Sequence, residues 1–102
     1  MSNLNQAESR SGVQDLGSII KSGAFLVDVR TPGEFAEGHV KGSVNIPLSM
    51  LPFELDKFRN QSNVVVFCLS GGRSAQAKAI LEMNGFSDII NGGTWNYVNQ
   101  FV

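Results

Sequence analysis

The chain has 102 residues, 42% of them apolar and 17% charged, with a formal net charge of -1. That length suits one hydrophobic core, so two domains are excluded, and the apolar fraction excludes a disordered chain. Near-neutrality supplies no basic field for nucleic acid or an anionic membrane, so any anion binding must be local.

Residues 1–12 are polar, without the charged start and apolar stretch of a secretory leader. They are expected to form a flexible segment ahead of a single domain over 13–102. No apolar run approaches the ~20 residues that cross a bilayer, and a cytoplasmic monomer is expected.

Val13, Leu16, Ile19 and Ile20 fall at helical spacing and predict a short amphipathic helix that stops at Ser22-Gly23. Ala24 to Val29 reads as the first core strand. It ends in the charged residues Asp28 and Arg30, at the strand edge where sites collect in α/β sheets. Thr31, Pro32 and Glu34 have the spacing of a capping box with proline in the first helical turn, predicting a helical turn that carries Phe35 inward and ends near Gly38-His39.

Val44 to Ile46 predicts a short strand closed by Pro47. Leu51, Leu55 and Phe58 predict a helix from about Ser49 to Phe58, and Asn60 to Asn63 a polar turn. Val64 to Phe67 is a run of four apolar β-formers, the pattern of a strand buried on both faces. A helix is expected from Ser74, with Ala75, Ala79, Ile80 and Met83 on its buried face and Gly85 at its C-terminal cap. Asp88 to Ile90 reads as a last short strand. Gly92-Gly93 then breaks the chain before a terminal turn or short helix in which Trp95, Tyr97 and Val98 seal the core. Strands alternating with helices predict an α/β fold, a small open parallel sheet of four to five strands with helices on both faces.

The only cysteine, Cys68, stands between the central strand and the helix that follows. A lone cysteine with a lone histidine makes no internal disulfide and no structural zinc set, so no metal or cofactor is expected. Cys68 is then a nucleophile, a carrier or inert packing. The loop Leu69, Ser70, Gly71, Gly72, Arg73, Ser74 favours chemistry. Two glycines relieve the backbone constraints of a tight ring, Arg73 adds a fixed charge, and free N–H groups at a helix start make an anion cradle that stabilises a thiolate.

The stretch from Leu26-Val27-Asp28-Val29-Arg30 to Asn45-Ile46-Pro47, together with Cys68-Leu-Ser-Gly-Gly-Arg-Ser74 and Gly92-Gly93-Thr94-Trp95, resembles the single-domain rhodaneses over about residues 13–98. In that family the cysteine attacks the sulfane sulfur of a donor such as thiosulfate, holds it as a persulfide and passes it to a thiophilic acceptor. The resemblance therefore implies Cys68 as sulfur carrier and the N–H groups of Leu69 to Ser74 as its cradle. Its implied partners are a small sulfur donor and a thiol or thiophile acceptor, or an acceptor protein. The family often has an aromatic, commonly Trp, four residues after the second glycine; here that position holds Tyr97, and Trp95 stands two residues earlier. Leu69 and Ser70 lend no positive charge to a dianionic donor.

Other readings compete. A persulfide carrier or interaction module that turns over only with a partner protein uses the same cysteine. A cysteine phosphatase needs five residues between cysteine and arginine to ring a phosphoryl group, whereas Cys68 and Arg73 have four between them. A Cys68–His39–Asp28 hydrolase triad is formally available, although a histidine in a turn more often fixes the loop by hydrogen bonds. Asp28 and Arg30 read first as a structural pair supporting the site, with a substrate contact by Arg30 the lesser alternative. Arg73 either faces the donor or braces the loop against a carboxylate.

Overall fold

A computed structural model describes residues 15–102 of the protein. The expected flexible segment and the Val13 end of the first helix lie outside the described residues. The elements in order are helix α1 (Leu16–Lys21), strand β1 (Phe25–Asp28), helix α2 (Pro32–Glu37), strand β2 (Val44–Asn45), two 3-10 turns (Leu48–Phe53 and Leu55–Phe58), strand β3 (Val64–Cys68), helix α3 (Gly72–Met83), strand β4 (Ile89–Thr94) and helix α4 (Trp95–Asn99). The sheet is four-stranded in the order β2-β1-β3-β4, and every pairing is parallel.

All five residues of β3 are buried, as a strand paired on both edges and covered on both faces requires. Their side chains alternate between two cores. Val64, Val66 and Cys68 join Val27, Val29, Leu51, Phe58, Ala77 and Leu81 on one face; Val65 and Phe67 join Ile19, Leu26, Val40 and Val98 on the other. Helices therefore cover both faces, α3 on the first and α1 with α4 on the second. Each fully buried Val or Phe stabilises the fold by roughly 1.5–3 kcal/mol relative to exposure.

The local signals at the element ends are realised. Asp15 Oδ1 accepts from Gly17 N at 3.1 Å to cap α1. The capping box of α2 is complete: Glu34 N donates to Thr31 Oγ1, and Thr31 N donates to Glu34 Oε1 at 2.9 Å. At the far end of α3, Gly85 N bonds Glu82 O and Phe86 N bonds Leu81 O, with Gly85 at φ 90°. That is a Schellman closure, which needs the left-handed residue that glycine supplies.

Several expectations are corrected. In place of one helix from Ser49 to Phe58 there are two 3-10 turns with Pro52 inside the first, because proline has no N–H for a continuous α-helical ladder. Leu51 and Phe58 are nevertheless buried as their spacing suggested. Helix α3 starts two residues earlier than Ser74 and buries Ser74, Ala77 and Leu81, leaving Ala75, Ala79 and Met83 exposed. Alanines at 75, 77 and 79 mark no single face, and the large residue that decides the rotation is Leu81. Lys78 lies along that packed side, its ammonium donating to Ile89 O at 2.6 Å.

Strand β4 does not stop at Ile90 but runs through Gly92-Gly93 by a bulge: Val66 pairs with Asn91, Phe67 with Gly93 and Cys68 with Thr94, leaving Gly92 as the extra residue. Gly92 fits only because it lacks a side chain, since a Cβ there would lie 2.8 Å from Val98 Cγ2 and 2.9 Å from Val65 Cγ1. In α4, Val98 is fully buried and Trp95 packs on the core, but Tyr97 is exposed and meets Phe101 edge-on. Phe35 is only half-buried, stacked on His39 at 3.8 Å between ring centroids, and α2 buries no residue fully.

Candidate active site

Cys68 is the last residue of β3, and the chain turns at once into α3. The loop after β1 (Val29 to Thr31) and the bulged end of β4 (Asn91 to Thr94) lie at the same edge of the sheet. The cysteine side chain is fully buried, and its sulfur faces the start of α3. Gly71 N donates to Sγ at 3.0 Å and Ser74 N at 3.4 Å. Gly71 has φ 99°, a left-handed conformation that lets the loop fold back over the sulfur. Gly72 opens the helix, so its amide and that of Arg73 belong to the group of helix-start N–H donors that have no intrahelical acceptor.

The loop residues thus divide their tasks. Gly71 and Ser74 direct backbone donors at sulfur, Leu69 projects outward and is 52% exposed, Ser70 is exposed, and Arg73 turns its side chain away. Burial pushes the Cys68 thiol up, but hydrogen bonding to the Ser74 hydroxyl and to the amides of Ser74, Gly71 and Ser70 outweighs it, so the thiol lies below its ordinary value. The thiol donates to Ser74 Oγ at 3.6 Å. Once that proton leaves, the same hydroxyl can turn its hydrogen to the sulfur. Ser74 Oγ in turn donates to Asn91 Oδ1 at 2.7 Å, and Asn91 Oδ1 also accepts from Gly93 N at 2.9 Å. The β4 bulge therefore holds the residue beneath the nucleophile.

Arg73 takes the bracing role. Its Nη1 and Nη2 donate to Glu34 Oε1 at 2.8 Å and Oε2 at 3.0 Å, a planar two-point contact that lysine could not reproduce. Hydrogen bonds from Arg73, and then from Thr31, hold the Glu34 carboxyl at about 2, well below its ordinary 4.5. Glu34 was legible only as a capping residue; the contact spans 39 positions of sequence, and no local signal announces it. Asn91 was likewise missed, its one cue being two following glycines.

Asp28 and Arg30 form a buried pair beside this loop. Arg30 Nη2 lies 2.7 Å from Asp28 Oδ2, Arg30 Nε donates to both carboxylate oxygens at 3.0 Å, and Arg30 N donates to Oδ1 at 3.0 Å. The guanidinium also donates to Gly38 O at 2.7 Å and stands 4.7 Å from the Trp95 ring centroid. Asn45 Nδ2 donates to the carbonyls of Asp28 and Arg30. These residues hold together the loops that surround the sulfur. His39 Nδ1 is 2.9 Å from Phe35 O; a carbonyl only accepts, so Nδ1 donates. With Asp28 committed to Arg30 and His39 to Phe35, the triad of Cys68, His39 and Asp28 is not assembled.

Beside Leu69, the first residue of the loop, lies a cleft of about 340 Å³ whose lining includes Arg30, Glu34, Glu37 and Trp95. Among the described residues no cluster of three or more His, Cys, Asp or Glu is placed to hold a metal ion, and no helix is long and apolar enough to cross a membrane. A buried sulfur that accepts from converging backbone amides can hold negative charge and take one atom from a bound donor.

Known proteins are similar to this chain. A family model for the Rhodanese-like domain matches residues 12–99. The chain is similar to a sulfurtransferase of Allochromatium vinosum, 33% identical over 88 residues that cover 86% of this chain and 80% of the relative. It is also similar to thiosulfate sulfurtransferase 16, chloroplastic, of Arabidopsis thaliana, 33% identical over 90% of this chain and 89% of that one. Among solved structures, the human single-domain sulfurtransferase TSTD1 superposes with a TM-score of 0.69 at 30% identity, over 80% of this chain and 87% of its own. A four-stranded parallel sheet with a cysteine loop at its edge, a family match over nearly the whole chain and relatives of matching length lead to one assignment: the chain belongs to the rhodanese-like sulfurtransferase family.

Proposed function

We propose that the protein transfers sulfane sulfur by double displacement through a Cys68 persulfide. The Cys68 thiolate attacks the outer sulfur of a donor such as thiosulfate, and a new S–S bond forms as the donor's own S–S bond breaks. With thiosulfate the bonding pair leaves on sulfite, and the charge balances without a proton: one thiolate and one dianion become one persulfide anion and one dianion. An acceptor thiol or other thiophile then attacks the outer sulfur and releases the thiolate. No cofactor enters this sequence. The chain's single cysteine cannot resolve the persulfide as an internal disulfide, so the acceptor is external.

The observation that carries this reading is the convergence of the Gly71 and Ser74 amides on Sγ at 3.0 and 3.4 Å, in a loop braced by Arg73 and Glu34. The ring favours a sulfur anion and is too short for a phosphoryl group. Treatment with donor should add the mass of one sulfur atom to the intact protein, and Cys68→Ser should abolish the gain. Equal gain in both proteins would overturn the assignment.

Exposed, uncharged Leu69 and Ser70 favour a second reading, a persulfide carrier served by a dedicated partner protein. Ready steady-state turnover with thiosulfate and a small thiophile supports the enzyme. Sulfur loading with negligible turnover until a cell extract is added supports the carrier.

A further inference from the structure

The charges around the mouth of the site are nearly all spoken for. Arg30 is paired with Asp28, and Arg73 is paired with Glu34. Glu37 lines the same cleft, is exposed, and makes no ion pair among the described residues. The remaining lining residues, Gly38, Leu69, Trp95 and Asn96, carry no charge. Lys41, the next cation along the chain, is not part of the lining. A donor that approaches Cys68 past Leu69 thus meets two different fields: the Gly71 and Ser74 N–H dipoles at the sulfur, which favour negative charge there, and the Glu37 carboxylate in the cleft beside Leu69, which opposes further negative charge.

We propose that Glu37 is a specificity-determining residue that makes the cleft favour singly charged sulfane donors, such as alkyl thiosulfonates, over dianionic ones such as thiosulfate. The inference rests on Cys68 being the sulfur acceptor. For a thiosulfonate the step is the attack of the thiolate on the terminal sulfur. The S–S bond to the sulfonyl group breaks with its pair leaving on the sulfinate, and two single negative charges remain two single negative charges. Repulsion by Glu37 scales with donor charge, so in free energy it acts twice as strongly on the dianion as on the monoanion.

The test measures the second-order rate of sulfur loading on Cys68 by intact mass, with thiosulfate and with methanethiosulfonate, in the wild type, Glu37→Gln and Glu37→Lys. At an ionic strength of about 0.01 M, where charges act over about 30 Å, Glu37→Gln should speed loading by both donors, thiosulfate by the square of the factor gained with methanethiosulfonate. Glu37→Lys should square both factors. The differences should collapse at about 1 M salt, where screening acts within about 3 Å; a purely structural effect would not fade this way. Unequal gains related in this way that vanish with salt support the proposal. An unchanged ratio between the two donors, or a change insensitive to salt, overturns it while leaving Cys68 as the sulfur acceptor. Failure of both donors to load the wild type overturns the sulfur-transfer reading itself.

Discussion

Replacing Asp28 by asparagine keeps the shape of the side chain and the acceptor for Arg30 N but removes the charge that balances the Arg30 guanidinium. The two side chains are 0% and 4% exposed, and their contact is 2.7 Å. Breaking such a buried pair leaves an unneutralised charge out of water, at a cost of about 3–5 kcal/mol. For a domain near 100 residues, whose whole stability is about 5–15 kcal/mol, that lowers the melting temperature by roughly 15–30 °C. Arg30→Met should cost a similar amount, because it strands the carboxylate, with a further contribution of about 0.5–2 kcal/mol from the lost contact with Trp95. Asp28→Asn combined with Arg30→Met leaves no buried charge and should be less destabilised than the sum of the singles by about 2 kcal/mol or more. Urea unfolding of the four proteins reads the coupling directly. Additive costs would refute the view that this pair is held as mutually neutralising charges.

Three further outcomes are expected. Because the Cys68 thiol lies below its ordinary 9.0 and the Ser74 hydroxyl contributes to that, the pH midpoint for alkylation by iodoacetamide should fall below 9.0 in the wild type and rise in Ser74→Ala; an unmoved midpoint would dismiss the hydroxyl. Glu34 is depressed from 4.5 to about 2, so the stabilisation from its bridge to Arg73 is complete above about 4.5 and lost as pH falls toward 2; carboxyl carbon NMR of Glu34 should titrate near the lower value, and a midpoint at 4.5 would mean that the bridge does not persist in solution. Gly92→Ala drives a Cβ to within 2.8 Å of Val98 and 2.9 Å of Val65 and should cost about 1–3 kcal/mol by overpacking, with a smaller loss showing that α4 yields easily.

What could be read from the sequence and what could not divide along physical lines. Val64 to Phe67 announced a doubly buried strand because apolar β-formers in an unbroken run have few other uses, and the Gly71-Gly72 loop announced an anion cradle because packing alone does not ask for it. The Thr31–Glu34 cap is local, so spacing revealed it. By contrast, the rotation of α3 depends on Leu81 meeting the sheet, and alanines on every side of the helix could not indicate it. Gly92-Gly93 looked like a break because glycine usually is one in a strand pattern; here the need was room beside Val65 and Val98, a requirement visible only when α4 is in place. The Glu34–Arg73 bridge and the Ser74–Asn91 bond join segments far apart in sequence, where no periodicity speaks. Arg73 could be narrowed to two roles beforehand, and the choice between them was made by a carboxylate already serving as a helix cap.

The seamless passage from the cysteine loop into α3 also bears on how this architecture can change. Cys68 is fixed by the sheet, and Ser74, Ala77 and Leu81 are fixed by the core, so the loop length and the phase of the helix are a single quantity. One residue inserted before Gly72 must either be extruded outward, leaving the ring around sulfur as it was, or be absorbed by turning α3 about 100° and lifting Leu81 from its place. A wider ring suited to a larger transferred group therefore cannot be reached by lengthening the loop alone; it calls for a compensating shift along the helix, so the width of the ring and the packing beneath it must change together.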